Sequence, residues 1–91
     1  MCSLYLLISG HVQGVSFRAS AQKKAKELKL TGWVQNLPDG QVEAMAFGSK
    51  KNLTYFLEWC RKGPQGARVE EVTPQWQEPA TSDFQDFVIR F

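Results

Sequence analysis

Arg18 closes a ten-residue stretch, Ser9-Gly10-His11-Val12-Gln13-Gly14-Val15-Ser16-Phe17-Arg18, whose residue types suit the binding of a small anion. Gly10 and Gly14 can take positive-φ conformations and bring consecutive backbone N–H groups round to one point. The residues that follow, as far as Leu28, have helical spacing, so that point falls at a helix N-terminus. There, unpaired N–H groups and the helix dipole favour negative charge. Arg18 adds a permanently charged, forked donor in the first turn, matched to the paired oxygens of a phosphate or carboxylate. The expected cradle is the backbone of Gln13, Gly14, Val15, Ser16, Phe17 and Arg18 together with the Arg18 side chain. A strand, a glycine-containing loop and a helix also make a plain connection, and residue types alone leave both readings open. His11, the one histidine, could serve as an acid or base, but its place among glycines ahead of the cradle suits a solvent-facing loop residue.

Such a cradle functions only if regular elements hold it. Leu4 to Ser9 reads as a first strand, and because nearly every residue in it is apolar it is expected to be central and buried on both faces. Phe17, Ala21, Ala25 and Leu28 recur at helical spacing as one apolar stripe, while Lys23, Lys24 and Lys26 fall mostly on the solvated side. Residues 30–36 and 41–47 have strand composition, and Leu37-Pro38-Asp39-Gly40 between them is a tight turn. Ser49 is a natural N-cap for a second helix with Leu53, Phe56, Leu57 and Cys60 inward, stopped by Gly63 and Pro64. Val69 to Trp76 and Phe84 to Phe91 are the remaining strands.

This order, βαββαβ plus a C-terminal strand, specifies an α+β fold of the split βαβ, ferredoxin-like kind, with two helices on one face of a mainly antiparallel sheet. In that topology the first two strands run in the same direction, so their C-terminal ends share one edge of the sheet. Arg18 and Asn36, far apart in sequence, are therefore expected to be close in space.

The whole chain, residues 1–91, reads as a single domain. At 43% hydrophobic residues, with three Trp and six Phe, it can bury a core, which excludes a disordered chain. A net charge of only +2, without a basic tail or Lys/Arg run, gives no reason to expect nucleic acid as a partner. An RNA-binding sheet would need an aromatic and basic platform, of which Tyr5 and Phe47 are at most a fragment. No apolar run is long enough to span a membrane and Met1-Cys2-Ser3 opens directly into the first strand, so a cytoplasmic location is expected. Two cysteines, Cys2 and Cys60, and a single histidine offer no credible metal site, and both thiols are expected to be reduced, Cys2 at a strand start and Cys60 on a buried helix face. No cofactor is called for.

The wording of the motifs adds to this reading. GHVQGVSFR closely resembles the signature loop of the acylphosphatases, and GWVQNLPDGQVE resembles that family's second signature. GPQGARVEEV and the closing FVIRF are similar to its C-terminal half, so the likeness runs in order from about Leu4 to Phe91. The resemblance implies an enzyme that hydrolyses the carboxyl–phosphate bond of a small acyl phosphate without metal or cofactor. It also implies inorganic phosphate as product and competitive inhibitor, and a monomer is expected. Carried over by position, Arg18 is the arginine that holds the phosphate and Asn36 the asparagine that orients the attacking water. An Asn amide can position water through its oxygen or its NH₂ group but is a poor base, which suffices for a substrate whose carboxylate leaves readily.

One departure from the family pattern is Ala21 before Gln22, where Thr is frequent and could supply a supporting hydroxyl. Phe17 and Trp33 are candidates for an apolar wall around the acyl group, although core packing accounts for both more simply. Asp39 and Glu43 could form a carboxylate pair, but a turn and an exposed strand face explain them. The alternative function is a non-catalytic ferredoxin-like module that binds a phosphorylated metabolite such as carbamoyl phosphate.

Overall fold

Seven elements follow in order: β1 (Cys2–His11), α1 (Phe17–Glu27), β2 (Thr31–Asn36), β3 (Val42–Gly48), α2 (Lys50–Lys62), β4 (Arg68–Gln77) and β5 (Phe87–Arg90). The computed structural model describes all 91 residues. The strands form one sheet in the order β4-β1-β3-β2-β5. β1 pairs antiparallel with β3 and β4, and β2 antiparallel with β3; only β2 and β5 pair in parallel. With β3 antiparallel to both, β1 and β2 run the same way, and the expected split βαβ arrangement is present.

The core lies between the helices and one face of the sheet. Leu4, Leu6 and Ile8 from β1, Val34 from β2 and Val42, Ala44 and Ala46 from β3 meet Phe17, Ala21 and Ala25 of α1 and Leu53, Phe56, Leu57 and Cys60 of α2. Both helices end by local chemistry. Lys29 turns left-handed (φ 58°), and the N–H groups of Leu30 and Lys29 donate to Ala25 and Lys26 at 2.9 and 3.0 Å, the paired bonds of a Schellman ending. The Ser49 hydroxyl accepts from the Asn52 N–H at 3.1 Å and caps α2, as its position suggested.

β1 is central but not buried on both faces. Leu4, Leu6 and Ile8 are sealed beneath the helices, whereas Tyr5 and Leu7 are only half-buried on the opposite face, which no helix covers. The apolar run therefore records central position more than two-sided burial. The closing strand is also shorter than expected, because residues 78–86 carry the chain between opposite edge strands. On this path the Ala80 N–H donates to the Met1 carbonyl at 2.9 Å, Thr31 and Ser82 share a hydroxyl bond at 3.2 Å, and Phe84 stacks on Phe47 at 6.1 Å. Phe47 is thus covered and Tyr5 tied down, which removes the fragment of an aromatic platform.

Candidate active site

The cradle begins where β1 leaves its neighbour. The pairing of β1 with β4 shifts register between Ser9 and Gly10, a bulge that carries the strand on to His11, which is exposed as expected. Gly10 has φ 122°, and a Cβ there would lie 2.1 Å from the Arg68 carbonyl oxygen. Its freedom therefore serves the close approach of β4 and does not shape the cradle. Gly14 (φ 76°) and Ser16 (φ 61°) turn the loop, and Ser16 is a left-handed non-glycine residue that its side chain gave no reason to expect.

Ser16 stands at the N-cap of α1 but makes no side-chain cap. The Ser20 N–H closes the first helical turn on the Ser16 carbonyl at 3.0 Å, so the N–H groups of Phe17, Arg18 and Ala19 have no helical acceptor. A serine cap would consume one of these donors; leaving it unmade keeps them available to an anion. Below the loop, Val12 is buried, Val15 packs against the core, and the Phe17 ring is buried 5.5 Å from that of Trp59. Apolar side chains thus anchor the loop from beneath while its polar edge faces a cleft of about 430 Å³. Gln13, Gly14, Ser16, Arg18, Asn36 and Phe91 line this cleft, with Val12, Phe17, Ala19 and Ile89. Arg18 and Asn36, 18 residues apart, do share one site.

Arg18 is held from the far edge of the sheet. Its Nη1 donates to the Arg90 carbonyl at 3.3 Å, and its guanidinium carbon lies 4.8 Å from the centre of the Phe91 ring. Gln22, one turn further along α1, donates Nε2 to the Phe87 carbonyl at 3.0 Å and fastens β5 to the helix. Asn36 is the last residue of β2, opposite Val42 in the pairing with β3. The turn that follows is closed by the Leu37 N–H on the Gln41 carbonyl at 2.8 Å. Asp39 accepts from the Gln41 backbone N–H at 3.0 Å and from its side-chain amide at 2.7 Å, and these bonds, led by the backbone one, hold its carboxyl below the usual range.

The other sequence candidates, Phe17 apart, lie elsewhere. Phe17 borders the cleft, but its side chain is buried in the core; Trp33 is neither core nor cleft but half-buried on the uncovered face, with the Arg90 guanidinium 4.8 Å above its ring. Glu43 is on that face too, accepting from the Tyr5 hydroxyl at 2.5 Å and from the Gln35 amide, and it forms no pair with Asp39. Ala21 is buried in the core and does not line the cleft, so a hydroxyl there would have no direct path to the cradle. Lys24 and Lys26 make long, exposed ion pairs with Glu27 and Asp86, as a solvated helix face does. Cys2 and Cys60 are buried free thiols outside the cleft. Sequence reasoning missed the side-chain work of Gln13 and Gln22. Only their long amide-bearing side chains, set beside strands whose ends expose carbonyls, could have pointed to it.

The acylphosphatase family model matches residues 4–89. An acylphosphatase of Marinobacter nauticus is 55% identical over 83 residues, covering 91% of this chain and 89% of that protein. The crystal structure of an acylphosphatase from Bacillus subtilis superposes with a TM-score of 0.95 at 32% identity, covering all of both chains. The structure of an acylphosphatase from Coxiella burnetii gives a TM-score of 0.88 at 44% identity, over 97% of this chain and 90% of that one. Fold, motif order and near-complete coverage coincide: the chain belongs to the acylphosphatase family.

Proposed function

We propose that the cleft binds the phosphoryl group of an acyl phosphate between the loop amides and the Arg18 guanidinium, while Asn36 holds the water that attacks phosphorus. The enzyme is a hydrolase acting on acyl phosphates. In the reaction the bond between phosphorus and the bridging carboxyl oxygen breaks, its electron pair leaves with the carboxylate, and the oxygen of water bonds to phosphorus. Charge on the phosphoryl oxygens is met by donors fixed beforehand, at no reorganisation cost during the reaction. The Asn36 amide orients the water without deprotonating it. A carboxylate is a good enough leaving group for the proton to depart late, to solvent or to product phosphate.

The observation that carries this reading is the convergence of Arg18, the uncapped start of α1 and Asn36 on one cleft. The reading extends to inorganic phosphate as a competing product and to a monomer acting in the cytoplasm.

The test compares benzoyl phosphate with phenyl phosphate in the presence of a chelator. Release of phosphate from the first and none above background from the second is expected. Equal turnover of both, or activity that disappears with the chelator, contradicts the proposal.

A further inference from the structure

The cradle and Asn36 sit on strands that do not touch. β3 lies between β1 and β2, and two strand spacings separate the ends of those two, roughly 10 Å. At this edge β3 gives no help, because its pairing with β1 ends at Ile8 opposite Val42. Beyond Ile8 no backbone hydrogen bond joins the loop to the β2–β3 turn. An Asn that must hold a water in line with a bond in the cradle needs its distance to that cradle fixed by something else.

Gln13 spans the gap. Its Nε2 donates to the Leu37 carbonyl at 2.7 Å and to the Gln41 carbonyl at 2.8 Å, using both amide hydrogens. Leu37 directly follows Asn36, and the Gln41 carbonyl is the one on which the Leu37 N–H closes the turn. One side chain from the first residue of the cradle thus grips both stems of the turn at the base of Asn36. With both hydrogens engaged at short distance, this amide has none left for a ligand, although each carbonyl also keeps a backbone donor, the Gly40 N–H on Leu37 and the Leu37 N–H on Gln41.

We infer that Gln13 is a positioning residue, which fixes Asn36 at the distance from the phosphate cradle that in-line attack by water requires. This rests on the water-holding role of Asn36. The Gln13 side chain acts through Asn36 and is turned to the β2–β3 turn rather than to the phosphate, so its contribution is to kcat more than to phosphate binding.

The test is a double-mutant cycle of Gln13→Met, which keeps length and removes both donors, with Asn36→Ala. The readouts are kcat on benzoyl phosphate and the Kd of inorganic phosphate, on variants shown to be folded by circular dichroism. If Gln13→Met does not fold, Gln13→Asn, which keeps the amide but shortens its reach by one methylene, takes its place in the cycle. The expected result is a fall in kcat of about tenfold or more in the wild-type background, with the phosphate Kd within about threefold. In the Asn36→Ala background the same change should alter kcat by less than about twofold. Equal losses in both backgrounds would make Gln13 a general strut and overturn the inference; so would a parallel loss of phosphate binding, or an unchanged kcat. If Asn36→Ala alone keeps full kcat, the water-holding role itself fails and the inference with it. A low kcat for Asn36→Ala beside a normal one for Gln13→Met removes only the inference.

Discussion

Arg18→Ala should weaken phosphate binding by about 30- to 1,000-fold, and the range follows from what Arg18 already does in the folded protein. Two charge-assisted hydrogen bonds from a guanidinium to phosphate are worth about 3–6 kcal/mol together. Against this, Arg18 gives up one long bond to the Arg90 carbonyl, at 3.3 Å, and some of its stacking on Phe91. Those exposed contacts are worth about 1–2 kcal/mol together, leaving a net of about 2–4 kcal/mol. At 1.4 kcal/mol per tenfold that is the stated range. The loss should be visible in two ways. Inorganic phosphate should raise the melting temperature of the wild-type protein through RT ln(1 + [L]/Kd), and that shift should vanish for Arg18→Ala at phosphate concentrations that stabilise the wild type. Titration calorimetry then gives the Kd directly. Phosphate binding by a folded Arg18→Ala variant within threefold of wild type would refute the reasoning, because the loop amides alone would then hold the anion.

Three further outcomes are expected. The Tyr5 hydroxyl is pushed up to about 12, first by desolvation and then by its bond to Glu43 and the charge of that carboxylate. The folded state therefore keeps a proton that the unfolded chain loses above its ordinary value of 10.0, and stability should fall as the pH rises from 10 to 12. Tyr5→Phe should flatten that fall and lower stability at pH 7 by about 1 kcal/mol, read by urea denaturation across pH 7–11. Gly10→Ala places a Cβ 2.1 Å from a backbone oxygen at φ 122° and should destabilise the fold by about 3 kcal/mol or more in the same assay. Cys2 lies outside the cleft, its thiol raised chiefly by its hydrogen bond to Glu78 at 3.2 Å, so Cys2→Ser should keep kcat within about twofold. Loss of turnover in a folded Cys2→Ser variant would instead point to thiol chemistry.

The parts of the site legible in the sequence are those fixed by residue type and element order. A forked cation at the start of a helix after a glycine loop points locally to a candidate anion site. The order of strands and helices is enough to bring Asn36 to the same edge. What stayed hidden depends on competition between local options. Ser16 reads only as a backbone N–H of the cradle, and its side chain gives no sign of the left-handed conformation that leaves the start of α1 uncapped. Gly10 and Gly14 look alike in sequence, yet one accommodates β4 and the other turns the loop. The alternation hidden in Leu4 to Ile8 appears only once the helices choose a face. Tyr5 then depends on Glu43 and Gln35, partners that local sequence cannot pair with it. Gln13 was read for its backbone, since the reach of a glutamine across two strand spacings requires knowing which strands lie between.

The central claim is that phosphate binding and water positioning belong to different residues of one cleft, and Asn36→Ala tests it most directly. The measurement is kcat on benzoyl phosphate beside the Kd of inorganic phosphate, for a variant whose circular dichroism matches the wild type. The account predicts a fall in kcat of roughly 10²-fold or more, the scale of losing one positioned transition-state hydrogen bond, with the phosphate Kd changed by no more than a few-fold. A variant that loses phosphate binding as fully as Arg18→Ala, or one that turns over at the wild-type rate, would contradict it.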